Sequence, residues 1–480
     1  MAVLDIALQW LSSGSLLCLA GGLAAFLYFL TSTKRSICRL PPGPPPLPLI
    51  GNLNVVDLRM PFQSLMEKYG NIFTVHFGPR KTVVLAGYET IKEALLTHAE
   101  EFGGRAEIPI FQKITKGNGF SHGESWKTMR KFTLFTLRNF GVGKKTIELR
   151  ILKELNCLIK YFESHQGECE NFNSDKEHAV SNVICSILFG ERFEYNDPVF
   201  LTLLKLINEN TKLLGSPMVL VSVTPPRANC WLKGIKIYYA GFTCYGSNEH
   251  SRCVLKESRN PRTYFHNENL LFSTLDLFAA GTETTSTTVR WGLLLMMKYP
   301  EIQRRIQEEM NKVIEPGQLP TLEDRKKMPY TDAVIHEIQR FANIVPMSVS
   351  RSTSRNVNFR GYVIPKGIEV IPLLTSVLND KLHWKTPDQF NPSHFLDRDG
   401  NFIRKEAFIP FSIGRRACVG EGLAKMELFL FFAGLLRKFT FQPPPGVSKS
   451  DLDLTADVGF TLTPMPHLVC AIPYESSKHV

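Results

Sequence analysis

A chain of 480 residues with 44% hydrophobic and 21% charged residues and a formal charge of +11 has a globular make-up, long enough for one large helical unit or two to three average domains. The positive balance suits an acidic partner or an anionic membrane surface, while the lack of a basic run interleaved with aromatics excludes the pattern of a nucleic-acid site. Ten scattered cysteines without a C-x-x-C pair argue for a reducing compartment and against a disulfide framework or a zinc ribbon.

From Ile6 to Thr33 no residue is charged, and Leu16 to Leu30 is almost wholly apolar, so the stretch can span a bilayer. Asp5 is the only charge before it, where a cleavable signal peptide usually carries a basic region. Lys34, Arg35 and Arg39 follow, which by the positive-inside rule keeps the C-terminal bulk cytoplasmic. Leu40 to Pro48 is a stiff, extended proline run that reads as a semi-rigid spacer or as a peptide-recognition motif. Three parts follow: a transmembrane anchor over 1–33, a basic and proline-rich linker over 34–51, and a folded domain over 52–480.

Strands are expected from Ile72 to Ala86. Trp126 and Arg130 then stand at i, i+4 of a helix, offering an indole N–H and a guanidinium to a carboxylate, or simply packing and sitting in water. Lys127, Lys131 and Arg138 make that region basic, either as a solvated face or as a surface that attracts an acidic partner. Residues 219–260 show neither helical periodicity nor a capped run, and Cys230, Cys244 and Cys253 within them fit no usual zinc spacing.

Residues 267–298 read as one long helix with a polar interruption, Ala280-Gly281-Thr282-Glu283-Thr284-Thr285. A threonine there returns its hydroxyl to the carbonyl four residues back, Thr284 to Ala280, which bends or widens the helix. Glu337 and Arg340 share a face at i, i+3 of the helix Tyr330 to Phe341, where an ion pair forms. Strands are expected after Arg351 and near the C-terminus. Between them lies Phe411, Gly414, Arg416, Cys418 and Gly420, an F-x-x-G-x-R-x-C-x-G pattern running into an apolar helix expected to begin at Cys418. A helix N-terminus lowers a thiol's pKa, which suits an anionic metal ligand; the bland alternative is a small buried hydrophobe.

The segment FIPFSIGRRACVGEGLAKMELF, with the A-G-x-E-T-T and E-x-x-R patterns, resembles the cytochrome P450 superfamily, and in wording the vertebrate microsomal members of family 2. The resemblance implies a mainly α fold with a small β-rich region, haem b (iron protoporphyrin IX) as cofactor with Cys418 as its axial thiolate and Phe411 beside it, and Arg105, Trp126, Arg130, Arg351 and Arg416 as propionate partners. Glu283 and Thr284 would handle protons. Phe120, Phe278, Ala279, Ala280, Val345, Val349 and Phe460 would line an apolar pocket, though each alone could be core. Glu337 and Arg340 would be buried behind the haem, with His394 replacing the usual third arginine.

The activity implied is monooxygenation of lipophilic substrates (fatty acids, steroids or xenobiotics) with O2. Electrons would come from NADPH through NADPH-cytochrome P450 reductase, with cytochrome b5 as auxiliary, at the cytoplasmic face of the endoplasmic reticulum membrane. No Rossmann glycine pattern is present, so electrons must arrive from outside. The resemblance covers about 1–218 and 261–480. The stretch between reads as a product of alternative splicing, a retained intron or a gene-model error, which keeps open an inactive haem-binding isoform, as a thiolate-haem isomerase or peroxide user also stays open.

Overall fold

The computed structural model describes residues 20–24, 40–53, 62–106, 115–120, 123–171, 177–215 and 264–474. In chain order the helices are α1 (Gln63–Tyr69), α2 (Tyr88–Lys92), α3 (Gly123–Asn139), α4 (Lys145–Ser164), α5 (Glu177–Leu188), α6 (Pro198–Leu214), α7 (Asn267–Lys298), α8 (Pro300–Val313), α9 (Leu322–Arg325), α10 (Pro329–Ala342), α11 (Thr375–Leu378) and α12 (Glu421–Lys438). The strands are β1 (Ile72–Phe77), β2 (Arg80–Leu85), β3 (Gly104–Arg105), β4 (Cys169–Asn171), β5 (Arg351–Ser352), β6 (Val357–Phe359), β7 (Tyr362–Ile364), β8 (Glu369–Pro372), β9 (Phe439–Gln442), β10 (Ala456–Val458), β11 (Leu462–Pro464) and β12 (Leu468–Pro473). The fold is mainly helical with small β regions, as the resemblance implied.

Helix α7 runs through the centre. Every residue from Thr285 to Met297 is buried, so this half has neighbours all round rather than one wet face. The apolar run Leu428 to Leu436 of α12 is likewise buried and joins α4, α5, α7 and α10 in one core. His266 caps α7 by accepting from the Asn269 N–H, and proline opens both α8 and α10, where a missing N–H costs nothing.

A five-stranded sheet, ordered β1-β2-β8-β5-β3, lies to one side; β2 and β8 pair in parallel and the other neighbours are antiparallel. This sheet carries Arg105 and Arg351 opposite each other on β3 and β5. Near the C-terminus, β10 and β11 form a hairpin and β4-β12-β9 a separate sheet.

The start of the proline run packs on β1: Thr74 donates from Oγ1 to the Pro41 carbonyl and from its N–H to that of Pro42, each at 2.8 Å. Prolines lack a donor but keep an acceptor, so an extended run can still line a strand edge. Cysteine spacing gave no sign of a disulfide, yet Cys169 on β4 faces Cys470 on β12 and the two are bonded across a sequence separation of 301. Strand pairing, not spacing, brought them together.

Of the stretch read as membrane-spanning, only 20–24 are described, and they are helical; 34–39 and 219–260 also lie outside the described residues. Among the described residues no helix is long and apolar enough to cross a membrane.

Candidate active site

The loop before α12 is built around its cysteine. The Cys418 N–H donates to the Phe411 carbonyl at 3.0 Å and that of Ala417 to the Gly414 carbonyl at 3.0 Å, closing the segment into a tight turn. Gly414 has φ +78°, and a Cβ there would lie 2.2 Å from the Leu95 carbonyl oxygen, so the first glycine of the pattern is set by backbone geometry and close approach. Helix α12 begins at Glu421, three residues later than expected, because Gly420 takes the cap position. The N–H groups of Gly420 and Glu421 still point to Sγ and favour the thiolate. Burial is the larger effect, however, and with Glu421 nearby it pushes the Cys418 thiol up, not down as the helix terminus alone implied. Residue Cys418 nevertheless keeps solvent contact.

Around this loop four guanidinium groups converge from four elements: Arg105 on β3, Arg130 on α3, Arg351 on β5 and Arg416 in the loop. Burial, with mutual repulsion, pushes Arg105 down to about 10, Arg351 to about 9 and Arg416 to about 8; Arg130 is also lowered, again by burial. Guanidinium holds its proton against almost any environment. Such depression therefore marks concentrated positive charge in want of anions. Hydrogen bonds fix three of the four: Arg105 donates to the Val349 and Ser350 carbonyls, Arg351 to Ser412 Oγ and the Ile413 carbonyl, and Arg416 to the Gly103 and Phe120 carbonyls. Arg416 also lies over the Trp126 ring, 3.5 Å from its centroid, so the buried indole supports the cation by its π face. Arg351 Nε is buried with no acceptor among the described residues.

The acid facing this cluster was not anticipated. Asp276 on α7 accepts from the Phe120 N–H at 2.9 Å and lies within electrostatic reach of Arg105; burial raises it to about 6 despite both. A Cβ on Gly119, φ +74°, would sit 2.5 Å from Asp276 Oδ2, so glycine is needed where the loop crosses α7. Its signal in the sequence was a lone carboxylate in the apolar stretch Leu271 to Ala280, eight residues before Thr284.

Asp276, Ala280 and Thr284 form one stripe at i, i+4, i+8; Asp276 keeps solvent contact although the protein around it desolvates its carboxyl, Ala280 is exposed and Thr284 half-buried, whereas α7 is packed all round from Thr285 to Met297. Thr284 Oγ1 donates to the Ala280 carbonyl at 2.6 Å, the back-bond expected, while α7 stays helical throughout. Glu283, one residue off the stripe, accepts on Oε1 from Thr287 at 3.2 Å and from Thr461 at 2.9 Å. On the far side Thr285 donates to Glu427 of α12 at 3.3 Å, and burial raises that carboxyl to about 8.

Of the apolar residues named for a pocket, Phe120, Ala279, Val345 and Phe460 are half-buried and Ala280 and Val349 exposed. Phe278 is a correction: it is fully buried in the central core, because two residues along a helix from Asp276 or Ala280 turns a side chain to the opposite face.

The ion pair of α10 is fully buried. Arg340 meets Glu337 through two bonds of 2.8 and 2.7 Å and gives the rest of its donors to the Leu378, Pro387 and Gln389 carbonyls. His394 completes the set from the turn Pro392–Phe395. Its Nε2 accepts the Thr386 N–H at 3.2 Å, which places the ring proton on Nδ1, facing Glu337 at 3.1 Å. His394 thus gives the carboxylate a further partner in the place where the resemblance implied an arginine.

The family model "Cytochrome P450" matches residues 41–236 and 248–471. The chain belongs to the cytochrome P450 family. This P450 is 48% identical to cytochrome P450 2K1 of Oncorhynchus mykiss over 507 aligned residues, 98% of this chain and 99% of that protein. It is 46% identical to cytochrome P450 2K6 of Danio rerio over 89% of this chain and 90% of that one, and 43% identical to human cytochrome P450 2W1 over 94% and 97%. It is a family 2 monooxygenase and its cofactor is haem. The family match is interrupted at 237–247, inside the stretch 219–260 where a departure is expected.

The residues present fit that cofactor. A thiol served by two backbone N–H groups, a four-guanidinium cluster, and a buried Arg351 Nε with an unspent donor form the donor set that an iron porphyrin with two carboxylates requires.

Proposed function

We propose that in this P450 Cys418 would hold the haem iron, with Phe411 closing the loop around it, and that Trp126, Arg105, Arg130, Arg351 and Arg416 would hold the propionates. The convergence of four guanidiniums beside one cysteine, Arg351 and Arg416 buried and Arg105 and Arg130 half-buried, carries the reading. Bound there, a thiolate-ligated haem supplies the activation of O2.

The chain's own residues do the rest. The stripe Asp276-Ala280-Thr284, with Phe120, Ala279, Val345, Val349 and Phe460, presents a largely apolar surface that orients a lipophilic substrate by shape and keeps water out. Thr284 Oγ holds a proton at the Ala280 carbonyl, and Glu283 exchanges protons at the carboxylate oxygen that Thr287 and Thr461 leave free. Glu337, Arg340 and His394 hold the region behind the site rigid.

Electrons come from NADPH through the membrane-bound reductase, with cytochrome b5 as auxiliary. Support lies in α3, where Lys127, Lys131 and Arg138 are exposed on the side away from buried Trp126 and Met129. The location is the endoplasmic reticulum membrane, with 1–33 as anchor, 34–51 as linker and 52–480 as catalytic domain facing the cytoplasm.

The test is expression of the full chain and of Cys418→Ala, with the reduced carbon monoxide spectrum followed by NADPH consumption with reductase and a fatty-acid and drug panel. The thiolate-type Soret band is expected in the wild type and lost in the variant. Retention of the band in Cys418→Ala overturns the ligand assignment. A band without turnover favours the inactive isoform.

A further inference from the structure

Glu283 is held from a direction that the α7 pattern does not reveal. Among the described residues its partners meet Oε1 alone: Thr287, one turn on, donates at 3.2 Å, and Thr461 donates from the turn joining β10 to β11 at 2.9 Å. Thr461 is 1% exposed and Glu283 6%, so this bond is not exchanged with bulk water. A hydrogen bond to a buried charged group fixes orientation strongly.

The turn is itself clamped. The Thr461 carbonyl accepts the Gly459 N–H at 3.1 Å, Leu462 donates to the Ile344 carbonyl at 2.8 Å, and the Leu462 carbonyl accepts from Trp291 of α7 at 2.9 Å. It also rests on the end of α6. The Phe460 N–H donates to the Thr211 carbonyl at 3.0 Å, Lys212 pairs with Asp457 at 3.6 Å, and a Cβ on Gly215 would fall 2.0 Å from the Gly459 carbonyl carbon.

We propose that Thr461 is a positioning residue for the monooxygenase reaction: it holds Oε1 of Glu283 so that the other oxygen serves proton transfer, and it links the seat of α6 to that carboxylate. The proposal rests on the reading of Glu283 as a proton-handling group. Phe460, one residue before Thr461, lines the proposed substrate surface, so a substrate that shifts α6 or Phe460 changes the aim of Glu283. Proton supply is thereby tied to occupancy of the site rather than constant. No local pattern hints at this pair, since 178 residues separate the partners.

The experiment uses the full-length haem protein as wild type, T461V, T461S, E283Q and the double variant T461V/E283Q. Infrared difference spectra of glutamate-labelled protein against E283Q isolate the Glu283 carboxylate bands without turnover. These bands are expected to shift in T461V, to stay in T461S, and to shift in the same sense in G215A, which touches neither partner. With reductase and lauric acid as probe, the ratio of hydrogen peroxide released to water formed per NADPH rises about fivefold in T461V, stays near wild type in T461S, and in the double variant matches E283Q alone. Unshifted bands in T461V, or a peroxide effect that adds in full to that of E283Q, overturn the proposal. An E283Q protein with an unchanged ratio overturns the proton-handling reading instead, and the infrared bands then decide whether Thr461 holds the carboxylate.

Discussion

Replacing Glu427 by glutamine separates charge from shape at a carboxyl that is 1% exposed and whose only described hydrogen bond is from Thr285 Oγ1. Burial raises this group from 4.5 to about 8, so at pH 7 the folded protein carries it protonated while the unfolded chain has released the proton. The folded state binds more protons throughout that interval, hence stability falls as pH rises from 4.5 towards 8. Below 4.5 both states are protonated and the penalty vanishes; above about 8 it is complete. At about 1.4 kcal/mol per pH unit, holding the proton at pH 7 costs about 3 kcal/mol. Gln keeps the acceptor for Thr285 and has no proton to lose. With an unfolding entropy of about 2.1 cal/mol/K per residue, a chain of this length gains about 1 °C per kcal/mol, so E427Q should unfold about 3 °C higher than wild type at pH 7 and no higher near pH 4.5. The assay is thermal unfolding of the haem protein by circular dichroism at half-unit steps from pH 5 to 8. Parallel wild-type and E427Q curves refute the reasoning, because they mean that Glu427 titrates alike in both states.

Gly414→Ala is expected to dislodge the cysteine loop, since its Cβ would meet the Leu95 carbonyl at 2.2 Å in a backbone with φ +78°; haem content by pyridine haemochrome should fall more than tenfold, and near-normal loading would speak against the clash. Arg340→Met leaves the Glu337 carboxylate buried with only His394 and the Asn391 N–H, which should cost about 3–5 kcal/mol and be read as loss of folded haem protein on expression, with Glu337→Leu in the same background recovering part of it.

Much of the fold could be read in advance because its signals are local. The helix 267–298, the strands from Ile72 to Ala86 and the Thr284 back-bond follow from periodicity, β-branched runs and a hydroxyl four residues from a carbonyl, and each is found in place. The cysteine loop and its helix were also visible, though the helix start was three residues early because a glycine cap cannot be distinguished from a first helical turn by composition.

What the sequence by itself determined is the chemistry carried: a cysteine with glycine and arginine at fixed spacing, a Glu-Thr pair in a long helix, an acid and a base one turn apart. What only tertiary structure decided is which groups meet. Four arginines from β3, α3, β5 and the loop concentrate at one place, Asp276 closes on Phe120, His394 supplies its proton to Glu337, Thr461 takes Glu283, and Cys169 finds Cys470. The physical reason is sequence separation. Hydrogen bonds and electrostatic contacts act over a few ångströms, and partners far apart along the chain come within that range only when helix packing and strand register put them there.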